Sequence, residues 1–308
     1  MRKLLAAISI AMSIVSLPLH AAPLKVVASF SILGDMVKQV GGDLIEVETL
    51  VGPDGDAHVF QPTPADGKKV ARASIVFING LGFEGWIERL VKSADYKGKL
   101  VTVSTGLNHT RTMTEEEDEH DHGHGHKHGT AVTDPHAWQS LSNGRLYINN
   151  IAKALSEADT AHAAQYKANA AKLDSELAAL DSWVKAEIAQ IPASKRKVIT
   201  SHDAFGYFSD AYGVTFKAPV GISTEAEPSA KGMKEMITQL KQEGVKAVFF
   251  ENMASEKVIK QLAEEAKVSV GAPLYADALS PKDGPASSYQ AMFKYNAGKL
   301  VEGMKLNQ

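Results

Sequence analysis

The sequence has no cysteine in 308 residues. That excludes disulfides and a cysteine-bound zinc cluster, and it leaves no N-terminal cysteine to carry a lipid. A basic excess is also missing: 33 Lys and Arg stand against 36 Asp and Glu, with no patch that argues for nucleic acid. Long apolar runs are absent beyond Leu19, so no later segment is expected to span a bilayer.

The N-terminus is ordered in a telling way. Arg2 and Lys3 precede an apolar stretch from Leu4 to Leu19, and Ala21 and Ala22 follow it. A charged start, a greasy stretch and small residues make a secretory signal peptide over residues 1–22, with cleavage expected near Ala21 and Ala22. An uncleaved anchor is the alternative, but the stretch is thin for a span. The remaining chain, about 286 residues, suffices for two packed lobes. Secreted and without a lipid anchor, it is expected to be soluble and kept in the periplasm by an outer membrane.

Removing Arg2 and Lys3 leaves 31 bases against 36 acids, a net of −5. The stretch Thr114–His128 carries six acids (Glu115, Glu116, Glu117, Asp118, Glu119, Asp121) against Lys127, and so accounts for all of it. Within this acidic stretch lie His120, His122, His124, His126 and His128. It is too polar and too often interrupted by glycine to bury a core, so residues 114–129 are expected to form a disordered loop. Its histidines and acids suit several weakly held zinc ions; a solvated tether with no role is the alternative.

Short β-branched runs alternate with amphipathic ones, the pattern of β-α-β units and parallel sheets. Strands are predicted at Lys25–Ala28, Ile45–Val51, Ile75–Asn79 and Leu100–Val103, then at Lys197–Thr200, Thr215–Ala218, Ala247–Phe250 and Val268–Val270. Helices are predicted at Ser31–Val40, Gly82–Val91, Pro228–Gln242, Ser255–Ala266 and Ser287–Met304. Between the two halves, Tyr166, Ala170, Leu173, Leu177, Leu180, Val184, Ile188 and Ile191 recur at spacings of three and four. A single helix over Thr160–Ile191 is expected to link an N-terminal α/β lobe, 23–159, to a C-terminal one, 192–308. A coiled-coil partner is the alternative for that stripe.

Six histidines lie outside the loop, and His20 leaves with the leader. His162 falls on the polar side of the long helix and His109 borders the loop, so neither has a site context. His58, His136 and His202 each lie beyond the carboxyl end of a predicted strand, as does Asp277. There α/β sheets bind ligands. Two of the four come from each lobe, so an inter-lobe cleft could gather them. Three imidazoles and a carboxylate make a tetrahedral zinc site; imidazole also suits copper and nickel, whereas manganese prefers oxygen. Spacing alone matches no local metal motif. Asn79, Glu84 and Trp86 follow the third strand and are expected to line the cleft or hold a ligand's ring, with plain packing as the alternative. Asp203 is a candidate ligand or, more simply, the cap of the next helix.

Six pieces of this chain, Asp56-Ala-His58-Val-Phe-Gln-Pro-Thr, Asn79-Gly-Leu-Gly-Phe-Glu84-Gly-Trp86, Asp134-Pro-His136-Ala-Trp138, Ser201-His202-Asp-Ala-Phe-Gly-Tyr-Phe, Glu227-Pro-Ser and Asp277-Ala-Leu, stand in order across 220 residues. In them the sequence resembles the metal-type solute-binding proteins of ABC importers, which serve zinc and manganese uptake. The resemblance implies two α/β lobes joined by one rigid helix, with His58, His136, His202 and Asp277 as ligands of Zn2+. A membrane permease is the expected partner and a monomer the expected state; the His-rich stretch would concentrate metal beside the cleft or accept it from a periplasmic zinc donor. Manganese-type members carry glutamate where His202 stands; zinc-type members carry histidine, and many bear a His-rich loop before the second ligand. The chain departs from some zinc-type relatives in lacking the cysteine pair of their C-terminal lobe.

Other functions fit less well. A zinc hydrolase keeps a coordination position for water, whereas four protein ligands close the sphere, and no His-Glu-x-x-His helix or nucleophile elbow occurs. A manganese or iron carrier is disfavoured by His202, and a surface adhesin by the missing lipid anchor.

Overall fold

The computed structural model describes residues 22–115, 130–221, 224, 230–254 and 256–307. The expected leader as far as Ala21, the histidines at 120–128 and Glu227-Pro-Ser lie outside them.

The apolar run LKVVASF forms β1 (Leu24–Phe30) inside a four-stranded sheet of order β2-β1-β3-β4, with β2 at Ile45–Val51, β3 at Ile75–Ile78 and β4 at Lys99–Thr102. Every pair is parallel, with Leu24 opposite Ile45 and Val26 opposite Ile75. Buried strands of this kind read as continuous apolar runs, and β3 is buried throughout. Helices α1 (Ser31–Gly41), α2 (Pro64–Arg72), α3 (Ile87–Ser93) and α4 (Leu141–Ala158) complete the lobe. The start of α2 is a capping box: Thr63 Oγ1 accepts from Asp66 N, Asp66 Oδ2 accepts from Thr63 N, and Pro64 opens the helix. The helix predicted from Gly82 begins only at Ile87, because Gly80, Leu81 and Gly82 all have φ between 59° and 84° and turn the chain first. Strands β5 (Thr112–Glu115) and β6 (Thr130–Thr133) form an antiparallel hairpin at the base of the His-rich segment.

The long helix is α5, Ala163–Ala189, about 40 Å at 1.5 Å per residue. A 3-10 turn over Thr160–His162 precedes it. Its periodic residues from Tyr166 to Ile188 are buried, and they pack on α1, α4 and α9 (Tyr289–Met304) of the same chain.

In the second lobe, β7 (Lys197–Ile199) pairs in parallel with β8 (Thr215–Lys217). The runs predicted at Ala247–Phe250 and Val268–Val270 join them only through single parallel bridges, Ile199 to Val248 and Val248 to Val270. The outer run is interrupted where Pro273 has no N–H to give. Helices α6 (Gly206–Tyr212), α7 (Ala230–Glu243) and α8 (Glu256–Ala266) flank this sheet. Ile199, Ile237, Leu240, Val248, Ile259 and Leu262 form a small core under α7 and α8. The main core runs without a break from Val26 and Phe77 past Leu177 to Phe208, Phe293 and Leu300, so both lobes share it. Among the described residues, no helix is long and apolar enough to cross a membrane.

Candidate metal centre

Each of the four expected ligands is held by its own segment. His58 ends the turn after β2. Its main-chain N donates to Asp56 Oδ1 at 2.9 Å, and Trp86 Nε1 donates to the Ala57 carbonyl at 2.8 Å. The same turn reaches the other lobe: Asp54 N donates to the Leu279 carbonyl, Asn252 Nδ2 to Asp54 Oδ1, and Thr224 Oγ1 to Asp56 Oδ2. His136 follows β6. Asp134 Oδ1 accepts from its main-chain N at 3.0 Å and lies 2.8 Å from its Nδ1, and Asn79 Nδ2 donates to the Pro135 carbonyl. His202 follows β7. Glu251 Oε1 accepts from the main-chain N of Ser201 and of His202, while its Oε2 pairs with His202 Nδ1. Asp277 is fixed by its neighbour Ala276, whose carbonyl accepts from Trp138 Nε1 and Gln139 Nε2.

These segments bring one atom of each side chain within 4.8 Å of the others. His58 Nε2 lies 3.3 Å from His136 Nε2 and 3.3 Å from Asp277 Oδ2; His202 Nε2 lies 3.1 Å from Asp277 Oδ2, and His136 Nε2 3.6 Å from Asp277 Oδ1. Ligand atoms bound at 2.0–2.1 Å to a tetrahedral ion stand about 3.3 Å apart, so these separations fit a cation among them. His136, His202 and Asp277 are fully buried, and His58 is the one of the four nearest solvent. Phe30, Phe83 and Trp138 pack against one another beneath the imidazoles, with Phe83 edge-on to His58.

The chemistry of the donors agrees. Both oxygens of Asp277 and Nε2 of His202 are buried without a well-formed hydrogen bond, their near neighbours being one another and the other two imidazoles, an arrangement a cation would complete. Nδ1 of His136 and of His202 each face a carboxylate, which fixes the tautomer that aims a lone pair from Nε2 at the centre. Burial alone would pull the His202 pKa down, but Glu251 and Asp277 outweigh it and hold it well above the ordinary histidine value. Burial alone would likewise raise Asp277, and His136 and His202 hold it well below the carboxylate range. A metal entering the site therefore displaces a proton.

Asn79, Glu84 and Trp86 lie behind the four-residue cluster and hold main chain, not a ring. Tyr147 O–H donates to Asn79 Oδ1 at 2.6 Å, which sets the amide that supports Pro135. Glu84 accepts from Ser29 Oγ and from the N–H groups of Asn79 and Gly80, and burial raises its pKa despite these bonds. Asp203 neither caps α6 nor joins the cluster. His109 is exposed and His162 pairs with Asp159, both away from the centre.

Asp134 and Glu251, which face the imidazoles of His136 and His202, are not among the candidates the sequence singles out, although Asp134 opens the Asp134-Pro-His136 piece. Glu251 stands directly after the run predicted at Ala247–Phe250, so the rule that finds His202 finds it too. Replacing Glu251 with glutamine keeps the volume but turns a donor toward the imidazole N–H. Zinc affinity should fall about 10- to 100-fold with the circular dichroism spectrum unchanged; calorimetric titration gives the number.

Residues 26–303 match the ZnuA family, zinc-uptake complex component A, periplasmic. The chain belongs to this family. It is 33% identical over 287 residues to the metal ABC transporter substrate-binding lipoprotein FimA of Streptococcus parasanguinis, covering 91% of this chain and 89% of that one. It is 32% identical over 295 residues to the manganese ABC transporter substrate-binding lipoprotein PsaA of Streptococcus pneumoniae, with the same coverage. To the manganese-binding lipoprotein MntA of Bacillus subtilis it is 30% identical over 288 residues, covering 92% and 90%. Among solved structures, the Mn-bound periplasmic metal binding protein from Candidatus Liberibacter asiaticus superposes with a TM-score of 0.78 at 30% identity, over 91% of this chain and 99% of that one. The periplasmic zinc binding protein TroA from Treponema pallidum shares the two-lobed fold, with a TM-score of 0.83 at 24% identity over 92% and 99%. As a member of the ZnuA family the protein is a metal-binding, solute-binding component of an ABC transporter, and its relatives are carriers, not enzymes.

Proposed function

We propose that this member of the ZnuA family captures zinc in the cleft between its lobes and delivers it to the permease of an ABC importer. His58, His136, His202 and Asp277 are the four ligands. The observation that carries this reading is the Asp277 carboxylate, buried with neither oxygen in a well-formed hydrogen bond and faced by three imidazole Nε2 atoms. Three nitrogen donors with one oxygen favour zinc over manganese, and four protein ligands leave no position for a catalytic water. Residues 1–22 are the leader, 23–159 and 192–308 the lobes, and 160–191 the link; the released protein works as a periplasmic monomer. The five histidines from His120 to His128, set among acids and glycines, hold additional zinc weakly. They suit it to accept metal from a donor protein.

Manganese is the second reading, favoured by the manganese-named relatives PsaA and MntA and by the Mn-bound Liberibacter protein. Melting temperatures separate the two. A metal bound only by the folded state stabilises it by about 4 kcal/mol at a thousandfold excess over Kd. With residues 116–128 deleted to remove the weak class, zinc should raise the melting temperature strongly and equal manganese much less. Equal shifts, or a larger one with manganese, would end the zinc assignment.

A further inference from the structure

We propose that Arg111 is a positioning residue for the metal site: it holds Asp134, and through Asp134 the imidazole of His136, to helix α6 of the opposite lobe. The proposal rests on the reading that His136 is a metal ligand.

The carboxylate of Asp134 is divided between two tasks. Oδ1 serves the main-chain N and the Nδ1 of His136. Oδ2 is buried with no hydrogen bond, and the Nε of Arg111 stands 3.4 Å from it, itself buried and unbonded. The guanidinium is fixed from its other end, where Nη1 donates to Asp210 Oδ1 on α6 at 2.6 Å. Tyr207, also on α6, completes the arrangement: its hydroxyl accepts from Arg111 N at 3.0 Å and donates to the Asp134 carbonyl at 3.3 Å. Asp134 N donates to the Arg111 carbonyl at 2.9 Å, so the two residues close the base of the β5–β6 hairpin, just outside the Thr112–Thr133 pair.

Gly206, the first residue of α6, leaves the gap in which the two charges meet. A Cβ there would lie 2.5 Å from both Arg111 Nε and Asp134 Oδ2. The guanidinium engages Oδ2 and so leaves Oδ1 turned toward His136. That holds the ring with Nδ1 against Asp134 and Nε2 facing the centre. Since Asp210, Tyr207 and Gly206 belong to the second lobe and Asp134 and His136 to the first, the imidazole is held in this way only with the lobes placed as they are here. The β5–β6 pair is bound into the same contact.

The test uses Arg111→Gln, which removes the charge, and Gly206→Ala, which separates the pair without removing either charge. Arg145→Gln, which breaks the Arg145–Asp174 pair between α4 and α5, is the control. Zinc and manganese are each loaded on the full chain and removed by a chelator, at a temperature where every metal-free variant remains folded by circular dichroism. Both site variants should release metal about tenfold faster than the unaltered protein, the low end for residues behind a ligand, and Arg145→Gln should not. In metal-free protein labelled with 15N histidine, only the His136 Nδ1 signal should move, with His58 and His202 unchanged. Unaltered release in Arg111→Gln, or a common shift of all three histidines, overturns the proposal. If Gly206→Ala does not fold, Arg111→Gln decides alone. An unaltered protein that prefers manganese sinks the zinc assignment and leaves this inference standing, because each variant is compared with its parent for the same metal.

Discussion

Replacing Asp277 with asparagine should weaken zinc binding by about two to three and a half powers of ten, with the fold intact. The change preserves shape and deletes only charge. Asp277 is the single anion among the four proposed ligands, and neither of its oxygens has a well-formed hydrogen bond. Removing one member of a buried charged pair costs about 3–5 kcal/mol, and each 1.4 kcal/mol is tenfold in affinity. The metal-free protein should lose less, because His202 can shed its extra proton while keeping Glu251. The depressed pKa of Asp277 contributes stability that is present above the ordinary carboxylate value and lost as pH falls through the folded value. The raised pKa of His202 contributes stability that is complete below the ordinary histidine value and lost as pH rises through the folded value. Both are in place between the two ordinary values, so Asp277→Asn should destabilise metal-free protein more at about pH 5 than at about pH 9. Titration with zinc and thermal melting at the two pH values supply the measurements. Zinc affinity within tenfold of the parent would remove Asp277 from the ligand set.

The positions of His58 and His202 were legible because each follows a strand of a parallel sheet, where side chains gather at the carboxyl edge. His136 follows the antiparallel strand β6 and Asp277 a run held only by single bridges, so topology pointed to them less directly. Ile45–Val51 stands as a strand over the range its apolar run suggests, and the stripe from Tyr166 to Ile188 is buried along one helix. Local pattern also explains what was harder to see. Val248 and Val270 sit in an apolar sheet yet form only single bridges, because strand length depends on partners and on Pro273, not on β-branching alone. Helix α2 was not among the predicted helices, because its apolar content is low; Thr63 and Asp66, which cap it, were the local signal for it. The partners of the ligand rings were least legible. Glu251 meets His202 across 49 residues, and Arg111 meets Asp210 across 99. No periodicity encodes such a pair; only the packed lobes bring it about.

Glutamate in place of His202 is the sharpest test of metal choice, and Glu251 makes its outcome more than an exchange of one donor. The substitution leaves two imidazoles and two carboxylates, closer to what manganese favours. It also deprives Glu251 Oε2 of the imidazole it pairs with, although Oε1 keeps the main-chain N–H groups of Ser201 and residue 202. The new carboxylate would enter between Glu251 and Asp277, both fully buried. Like charges so close cannot all stay ionised, so one takes a proton and its value as a ligand falls. His202→Glu alone should therefore lose about a hundredfold or more in zinc affinity, the smaller end of the cost of breaking a buried charged pair. Its manganese affinity should suffer less, so that the ratio of manganese to zinc rises, with zinc keeping an advantage from its higher place in the divalent series. Adding Glu251→Gln removes the third carboxylate and should recover part of both affinities, manganese more than zinc. His162→Glu, on a half-exposed histidine paired with Asp159 away from the cluster, should change neither. Competitive titration of zinc and manganese on protein lacking residues 116–128 gives all four comparisons. An unchanged zinc affinity and an unchanged ratio in His202→Glu would show that this imidazole is no ligand. A double variant weaker than the single one would show instead that Glu251 does not act on residue 202 through charge.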